Sequence, residues 1–243
     1  MRLILRCLIV FFIIFILSVV VYGEEKKKWS EQAELSYVET GGNTDVKTLS
    51  AKNILKYKFD ENLEGVWKGK AIYGESDGER DAEKYSTELR LNYLFTERFY
   101  SAFIAGWRKD NFAGIDSEYT VGPAVGYKLF DGPRHFLLSE AGVNYVKKEY
   151  TEGQREENLG GRVFSSYEYA FTEKNRFSQS VEYIHNFEDS SDYYLNSETA
   201  LISSLNSFLS LKASYLVEYR HKPVPSTLDD TDTTLAVALV VNF

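Results

Sequence analysis

The stretch Asp232–Phe243, which reads DTTLAVALVVNF, decides the fold of this chain. Alternate residues form one almost entirely apolar row, and the residues between them are small or mildly polar. The apolar row consists of Thr233, Leu235, Val237, Leu239, Val241 and Phe243. Because successive side chains of a β-strand point to opposite faces, the stretch predicts a strand with one apolar face. A barrel that crosses a bilayer needs such strands, since its outer face meets acyl chains.

The beginning of the chain predicts export. Arg2 and Arg6 precede an apolar run over residues 8–17, and small residues follow that run. This order is typical of a secretory signal peptide. We therefore predict a cleaved signal peptide at residues 1–23 and an outer-membrane barrel domain at residues 24–243. The alternative is an uncleaved membrane anchor, because the apolar part of the segment nearly reaches the length that spans a bilayer.

Composition narrows the classes of function. The 243 residues include 36 Asp+Glu and 28 Lys+Arg, and the resulting net charge of -8 argues against nucleic acid as a partner. Cys7 is the single cysteine and lies inside the predicted signal peptide, so the mature chain offers no thiol for a disulfide or a metal. We expect no cofactor and no metal ion, because the sequence has no zinc-protease, phosphate-loop or paired-cysteine motif.

Short segments of alternating polarity fill the chain after residue 23. The twelve predicted strands are 29–40, 47–59, 63–74, 84–95, 100–110, 117–130, 135–150, 159–171, 176–187, 193–205, 208–219 and 232–243. Tight turns alternate with longer, charged loops between them. This order predicts an all-β fold, a transmembrane antiparallel up-and-down β-barrel of about 12 strands. Pro123 lies inside the sixth segment and predicts either a weak strand or a bulge there.

Charged side chains occupy the rows opposite the apolar ones. The predicted lumen charges are Lys52, Lys56, Glu64, Lys68, Lys70, Glu88, Arg90, Arg162, Glu168, Glu182, Lys212 and Glu218. In the alternative, a soluble barrel, the same residues would lie on the outer surface and face water. The export signal, the even strand count and the aromatic residues that recur at strand ends, such as Phe59, Phe95 and Phe171, favour the membrane. A lumen of twelve strands lies between the filled and the open size classes, so the charges either fill it with ion pairs or line a narrow pore.

A short motif after the first predicted strand carries a family resemblance. The motif consists of Gly41, Gly42, Asn43, Thr44 and Asp45. It resembles the signature of the salt-induced outer-membrane protein family of Gram-negative bacteria, a family of unknown function. The likeness extends from Trp29 to the final VVNF. The resemblance implies an outer-membrane β-barrel and supplies no catalytic residues. Read without the family, the same Gly/Asn-rich motif is either a tight loop or a ligand-binding loop at the barrel rim.

The end of the last predicted strand resembles a second known feature. Phe243, Val241 and Leu239 look like the carboxy-terminal signal that the barrel-assembly machinery of bacteria recognises. Ala236 departs from the usual form, in which many barrels have glycine. The resemblance therefore implies that this strand closes the ring and directs assembly in the outer membrane.

Three hypotheses of function follow. The first is a narrow solute or ion channel, or an envelope component that responds to salt stress. The second is a structural or adhesive barrel whose acidic loops at 75–79, 188–192 and 229–232 engage lipopolysaccharide through divalent ions. The third is a barrel lipid hydrolase that uses His185 near Ser190. We expect no enzyme, because the chain has no nucleophile-elbow motif. Outer-membrane lipid and lipopolysaccharide are the expected partners, and the oligomeric state stays open.

Overall fold

The computed structural model describes residues 28–40, 46–77, 79–223 and 229–243. It contains twelve β-strands, which are β1 Trp29–Thr40, β2 Val46–Lys58, β3 Leu63–Ser76, β4 Glu79–Leu94, β5 Phe99–Asp110, β6 Ile115–Asp131, β7 His135–Tyr150, β8 Arg155–Ala170, β9 Asn175–Asn186, β10 Tyr193–Ser204, β11 Leu209–Arg220 and β12 Thr231–Asn242. Each strand pairs antiparallel with its neighbours in sequence, and β1 pairs with β12 to close the barrel. The predicted fold class is confirmed. The predicted signal peptide and the motif at Gly41–Asp45 lie outside the described residues.

Apolar side chains face outward around the ring. Leu89, Phe103 and Leu235 are 59%, 53% and 73% exposed, whereas Glu140 and Lys148 are 4% and 2% exposed. This arrangement inverts that of a soluble protein, in which charged residues are almost never fully buried. An apolar outer face and a polar interior are the pattern of a barrel that spans a membrane. Within the described residues, no helix is long and apolar enough to cross a bilayer.

Aromatic side chains mark the two ends of the barrel. At the end that carries the tight turns, edge-on ring pairs join Tyr57 to Phe59, and Tyr169 to Phe171, with centroids 5.0 Å apart in both pairs. At the end that carries the longer loops, Tyr193 of β10 stacks on the ring of His221, which directly follows β11, at 4.8 Å. Rings with polar edges prefer the boundary between lipid and water, so these belts place the membrane between them.

Two hairpins are longer than the sequence pattern predicts. The predicted loop at 151–158 is partly strand, because β8 begins at Arg155. Cross-strand ion pairs hold this extension, with Lys147 Nζ 2.7 Å from Glu157 Oε1 and Arg155 Nη2 2.9 Å from Glu149 Oε1. Opposite charges on facing strand positions stabilise a ladder in water, where an apolar row is not required. The predicted loop at 75–83 likewise contains the beginning of β4 at Glu79.

The sixth strand continues through Pro123. Residues Val121 and Ala124 keep one register with β7, facing Tyr145 and Gly142 respectively. The register of this pair shifts elsewhere, between Ile115 and Ser117 and between Lys128 and Phe130. Pro123 therefore marks no bulge.

The seam between β1 and β12 is the shortest ladder of the barrel. Its register pairs run only from Gln32, which faces Asn242, to Ser36, which faces Ala238. By comparison, β11 and β12 are paired along almost their full length. Two backbone hydrogen bonds extend the seam at the tight-turn end, since Phe243 N donates to Glu31 O at 2.9 Å and Glu31 N donates to Phe243 O at 3.4 Å. The last residue thus helps to close the ring.

Candidate functional site

Glu140 of β7 joins five strands inside the barrel. Its carboxylate accepts hydrogen bonds from Arg162 Nη1 at 2.9 Å, from the hydroxyl of Tyr100 at 2.6 Å and from Arg90 Nη2. Arg162 Nε also donates to Glu182 Oε1 at 2.6 Å. These side chains come from β4, β5, β7, β8 and β9, so the network crosses part of the lumen. One carboxylate shared by two guanidinium groups is a strong, charge-assisted arrangement.

A glycine makes room for the tyrosine of this network. A Cβ atom placed on Gly126 would lie 2.2 Å from Cζ of Tyr100, which is closer than any real contact. Ala102 and Ala124, which are also small, are buried beside the Tyr100 ring. The ring therefore lies flat on β6, and its hydroxyl reaches Glu140.

A second cluster lies across the strands near the seam. Lys212 Nζ is 3.1 Å from Glu34 Oε2 and 2.7 Å from Glu198 Oε1. Lys52 Nζ lies 3.9 Å from both of the same carboxylates. Strands β1, β2, β10 and β11 contribute one residue each, so the cluster bridges the closing seam on its inner side.

Two further clusters lie towards the long-loop end. Lys84 Nζ is 3.2 Å from carboxylate oxygens of Asp110 and Glu218, and 3.5 Å from Asp232. Strand β4, which carries Lys84, is not a neighbour of β11 or β12, so this lysine reaches across the lumen.

The other cluster combines ion pairs with rings. Arg108 Nη2 donates to Glu118 Oε2 at 2.8 Å, and Lys148 Nζ is 3.4 Å from the same oxygen. Lys148 and Arg220 each donate to the hydroxyl of Tyr194 at 2.5 Å, with their cationic groups 4.9 and 4.7 Å from the centroid of its ring. Cation–π contacts add to the hydrogen bonds where the groups are desolvated.

The clusters divide the lumen into cavities. A central cavity has a volume of about 390 Å³, one at the tight-turn end about 490 Å³, and one at the long-loop end about 180 Å³. Glu140 lies in β7 between Phe136, which lines the tight-turn cavity, and Gly142, which lines the central cavity. The Glu140 network therefore forms a charged layer between these two spaces.

The structure places the predicted lumen charges in three settings. Seven line the central cavity, namely Lys52, Lys68, Lys70, Glu88, Arg162, Glu182 and Glu218. Lys56 and Glu168 line the tight-turn cavity, and Glu64 accepts a hydrogen bond from Asn92 at 3.4 Å. Arg90 and Lys212 belong to the ion-pair clusters described above.

Sequence reasoning missed several members of these clusters. The missed residues are Glu34, Lys84, Tyr100, Arg108, Asp110, Glu118, Glu140, Lys148 and Tyr194. A signal for Glu140 exists, because it alternates with the apolar residues Ala141 and Val143 of the same strand. No sequence signal identifies Tyr100 as a lumen residue, since the pattern of β5 mixes apolar side chains on both faces.

His185 has only aromatic contacts among its described interactions. Its Nδ1 lies 3.3 Å from the hydroxyl of Tyr183, and its ring contacts Phe187 with centroids 6.2 Å apart. Ser190 has no described hydrogen bond to it. His185 therefore belongs to the aromatic belt at the long-loop end, and the geometry offers no support for the hydrolase hypothesis. The described residues also contain no group of three or more histidine or acidic side chains that could hold a metal ion.

Asp189 joins the loop between β9 and β10 to the segment that follows β11, at the long-loop end of the barrel. Lys222 Nζ donates to its Oδ2 at 2.6 Å, while the backbone N and the Oγ of Ser191 donate to its Oδ1 at 3.0 and 2.6 Å. The ammonium of Lys222 and then the Ser191 donors hold the pKa of the Asp189 carboxyl well below its usual range. A depressed pKa means that this loop contact is fully present above the unfolded value of about 3.9 and is lost only as the pH falls through the lower folded value.

We expect the Asp189 carboxyl to titrate below the pH of an ordinary aspartate. In the Lys222→Gln variant its titration midpoint should return towards about 3.9, because the neutral amide no longer favours the charged form. The measurement is a carbon NMR titration of labelled Asp189 in the folded barrel. Ser191→Ala, which keeps the backbone donor, should raise the midpoint by less. Equal midpoints in the original protein and in Lys222→Gln would show that the two loops are not joined in solution.

A protein family, a relative in Escherichia coli and two solved structures are similar to this chain. The sequence profile of a family described as "Protein of unknown function, DUF481" matches residues 33–243. The uncharacterized protein YdiY of Escherichia coli K12 is 27% identical over 214 residues, which cover 88% of this chain and 83% of YdiY. The translocator domain of the autotransporter NalP from Neisseria meningitidis superposes with a TM-score of 0.52 at 11% identity, covering 90% of this chain and 89% of that domain. The NanC porin gives 0.49 at 7% identity, with 88% and 97% covered. The NalP likeness concerns the fold alone.

Proposed function

This chain belongs to the DUF481 family of proteins of unknown function, and we propose that it is an outer-membrane barrel that acts as a narrow channel for small polar solutes or ions. The apolar exterior and the two aromatic belts support the membrane location, and the predicted signal peptide supports export to the outer membrane. Outer-membrane lipid, lipopolysaccharide and the barrel-assembly machinery are its proposed partners. A role in salt stress remains a prediction.

The distribution of charge across the lumen carries the channel proposal. Lysines on one wall face glutamates on the opposite wall. The lysines are Lys52, Lys68, Lys70 and Lys84 of β2–β4, and the glutamates are Glu182, Glu198 and Glu218 of β9–β11. Each wall also carries the opposite sign, with Glu88 beside Lys68 and Lys212 beside Glu198, so a solute meets charges of both signs along its path. Such a lumen favours polar or charged solutes over apolar ones.

The bore of this channel is set by the charged layer. The Glu140 network separates the central and tight-turn cavities. It consists of side chains bonded to one another and contains no backbone segment that crosses the lumen. A solid plug of apolar packing would leave no central cavity, while an open pore would have no bridging pairs. The observed combination supports a lumen that passes small species when the pairs rearrange.

Single-channel recording in planar bilayers tests this proposal. We expect small conductance steps from the folded barrel, and steps several-fold larger from Arg90→Ala, because that variant removes the guanidinium that joins β4 to β7. Arg155→Ala is the matched control, since Arg155 is an exposed arginine near the long-loop end and should leave conductance unchanged. Folded protein that shows no steps at any salt concentration, in either the original chain or Arg90→Ala, would favour a purely structural barrel.

A further inference from the structure

Lys70 of β3 stands apart from the other cations of the central cavity. The other five are Lys52, Lys68, Arg108, Lys148 and Arg162, and each lies within 4.0 Å of a carboxylate oxygen. Lys70 forms no such pair among the described residues. The glutamates across the lumen are engaged with other lysines, Glu218 with Lys84 at 3.2 Å and Glu198 with Lys212 at 2.7 Å. An ammonium group removed from bulk water without a counter-charge is costly, so the cavity favours an added anion.

Asn144 of β7 adds a second unsatisfied group to the same cavity. It is 4% exposed, and neither its Oδ1 nor its Nδ2 has a hydrogen-bond partner among the described residues. A glycine on the next strand makes room for it, because a Cβ atom on Gly160 would lie 2.9 Å from Asn144 Oδ1. Buried amides are almost always bonded, so this side chain is poised for a partner inside the cavity. Arg108 Nε, also on the cavity wall, is similarly without an acceptor.

The chemistry of these groups defines the partner. The carboxamide of Asn144 is both donor and acceptor, which matches a hydroxyl group, and the ammonium of Lys70 is a donor only, which matches a carboxylate. The cavity volume of about 390 Å³ lies within the range of small-molecule pockets, about 300–1,000 Å³, and thus admits a solute of sugar-acid size.

We propose that the central cavity is a binding site for a small hydroxylated carboxylate, whose carboxylate pairs with Lys70 and whose hydroxyl groups bond to Asn144 and Arg108. The other lysines and arginines on the wall are already paired with carboxylates, so Lys70 is the cation that the carboxylate of the solute meets. The inference rests on the proposed channel function for the route by which the solute enters. It names the class of solute that the channel selects.

Isothermal titration calorimetry on the purified, folded barrel in detergent micelles tests the site with two matched probes. Gluconate and sorbitol have similar size and hydroxyl number, and differ in that gluconate has a carboxylate where sorbitol has a neutral carbinol. We expect gluconate to bind at least about 10-fold more tightly, the effect of one hydrogen bond to a charged partner. Lys70→Gln should lower the affinity for gluconate by about the same factor and leave sorbitol unchanged. Asn144→Ala should weaken both probes.

Lys56→Gln is the matched control, because Lys56, on the neighbouring strand β2, lines the tight-turn cavity instead. It should bind gluconate as the original chain does. Equal binding of gluconate and sorbitol, no binding of gluconate to folded protein, or unchanged gluconate affinity in Lys70→Gln would each overturn the proposal. The comparison of the two probes on the original chain stands even where a variant does not fold.

The site and the channel are tested independently, because equilibrium binding tests the site and conductance tests the channel. A barrel that conducts but does not bind gluconate would overturn the site and leave the channel. A barrel that binds gluconate but never conducts would overturn the channel and leave a binding cavity within the barrel.

Discussion

Glu140→Gln is expected to destabilise the folded barrel by about 3–5 kcal/mol, the usual result of removing one partner from a buried ion pair. The carboxylate is 4% exposed and is shared by Arg90 and Arg162. An amide carries no charge to neutralise two guanidinium groups, and it offers one acceptor oxygen where the carboxylate offers two. Arg162 keeps its pair with Glu182, but Arg90 loses the one carboxylate that it contacts among the described residues.

Urea unfolding of the barrel in lipid vesicles measures this effect. Glu157→Gln is the control, because Glu157 also pairs with a lysine but lies in water, and we expect no measurable change there. The double variant Glu140→Gln with Arg90→Gln should recover part of the lost stability, since the guanidinium that lost its carboxylate is gone as well. If Glu140→Gln unfolds at the same urea concentration as the original chain, the carboxylate does not hold the charged layer together.

Removal of Phe243 is expected to reduce assembly in the outer membrane far more than it reduces binding of any solute. The residue contributes two backbone hydrogen bonds to the short seam with Glu31. At about 1 kcal/mol each, their loss lowers the folded-to-unfolded ratio by roughly 30-fold. The loss of the proposed recognition signal adds to this effect in cells, so most of the protein should fail to reach the membrane.

Two assays separate closure of the ring from recognition. Phe243→Ala keeps both backbone hydrogen bonds and removes only the ring, so it should refold in vesicles nearly as well as the original chain but assemble poorly in cells. Phe208→Ala removes an exposed aromatic ring at the same end of the barrel and should affect neither assay. Normal cellular assembly of the chain without Phe243 would rule out both roles.

The alternation of apolar and polar residues along the chain predicts the architecture, because every strand of a membrane barrel turns apolar side chains outward and polar ones inward. In β11, Leu211 is 42% exposed while Lys212, the next residue, is 6% exposed. The same alternation in twelve segments predicts the number of strands, and the alternating short and long connectors predict their antiparallel up-and-down order. The strand ends were less predictable, because ladders such as the one between Lys147 and Glu157 continue into water on charged pairs.

Partners across the lumen could not be predicted in the same way. Alternation tells which face of the wall a charge occupies, but not which residue it meets. Arg90 and Glu140 are 50 positions apart and lie on strands that are not adjacent. Their contact depends on the curvature of the closed ring and on small residues such as Gly126, which allows Tyr100 to lie flat. The central cavity arises from the same three-dimensional arrangement.

The short seam between β1 and β12 makes the barrel uneven in its mechanical strength. Its paired residues, Gln32–Ser36 and Ala238–Asn242, cover less than half of either strand. Beyond them Leu235 is 73% exposed, the largest exposure among the apolar side chains of the described wall. Local opening requires the least free energy where the fewest bonds break. Thermal fluctuations therefore open the barrel between β1 and β12 first. Mechanically, the protein is a curled sheet joined along one short edge rather than a uniform tube.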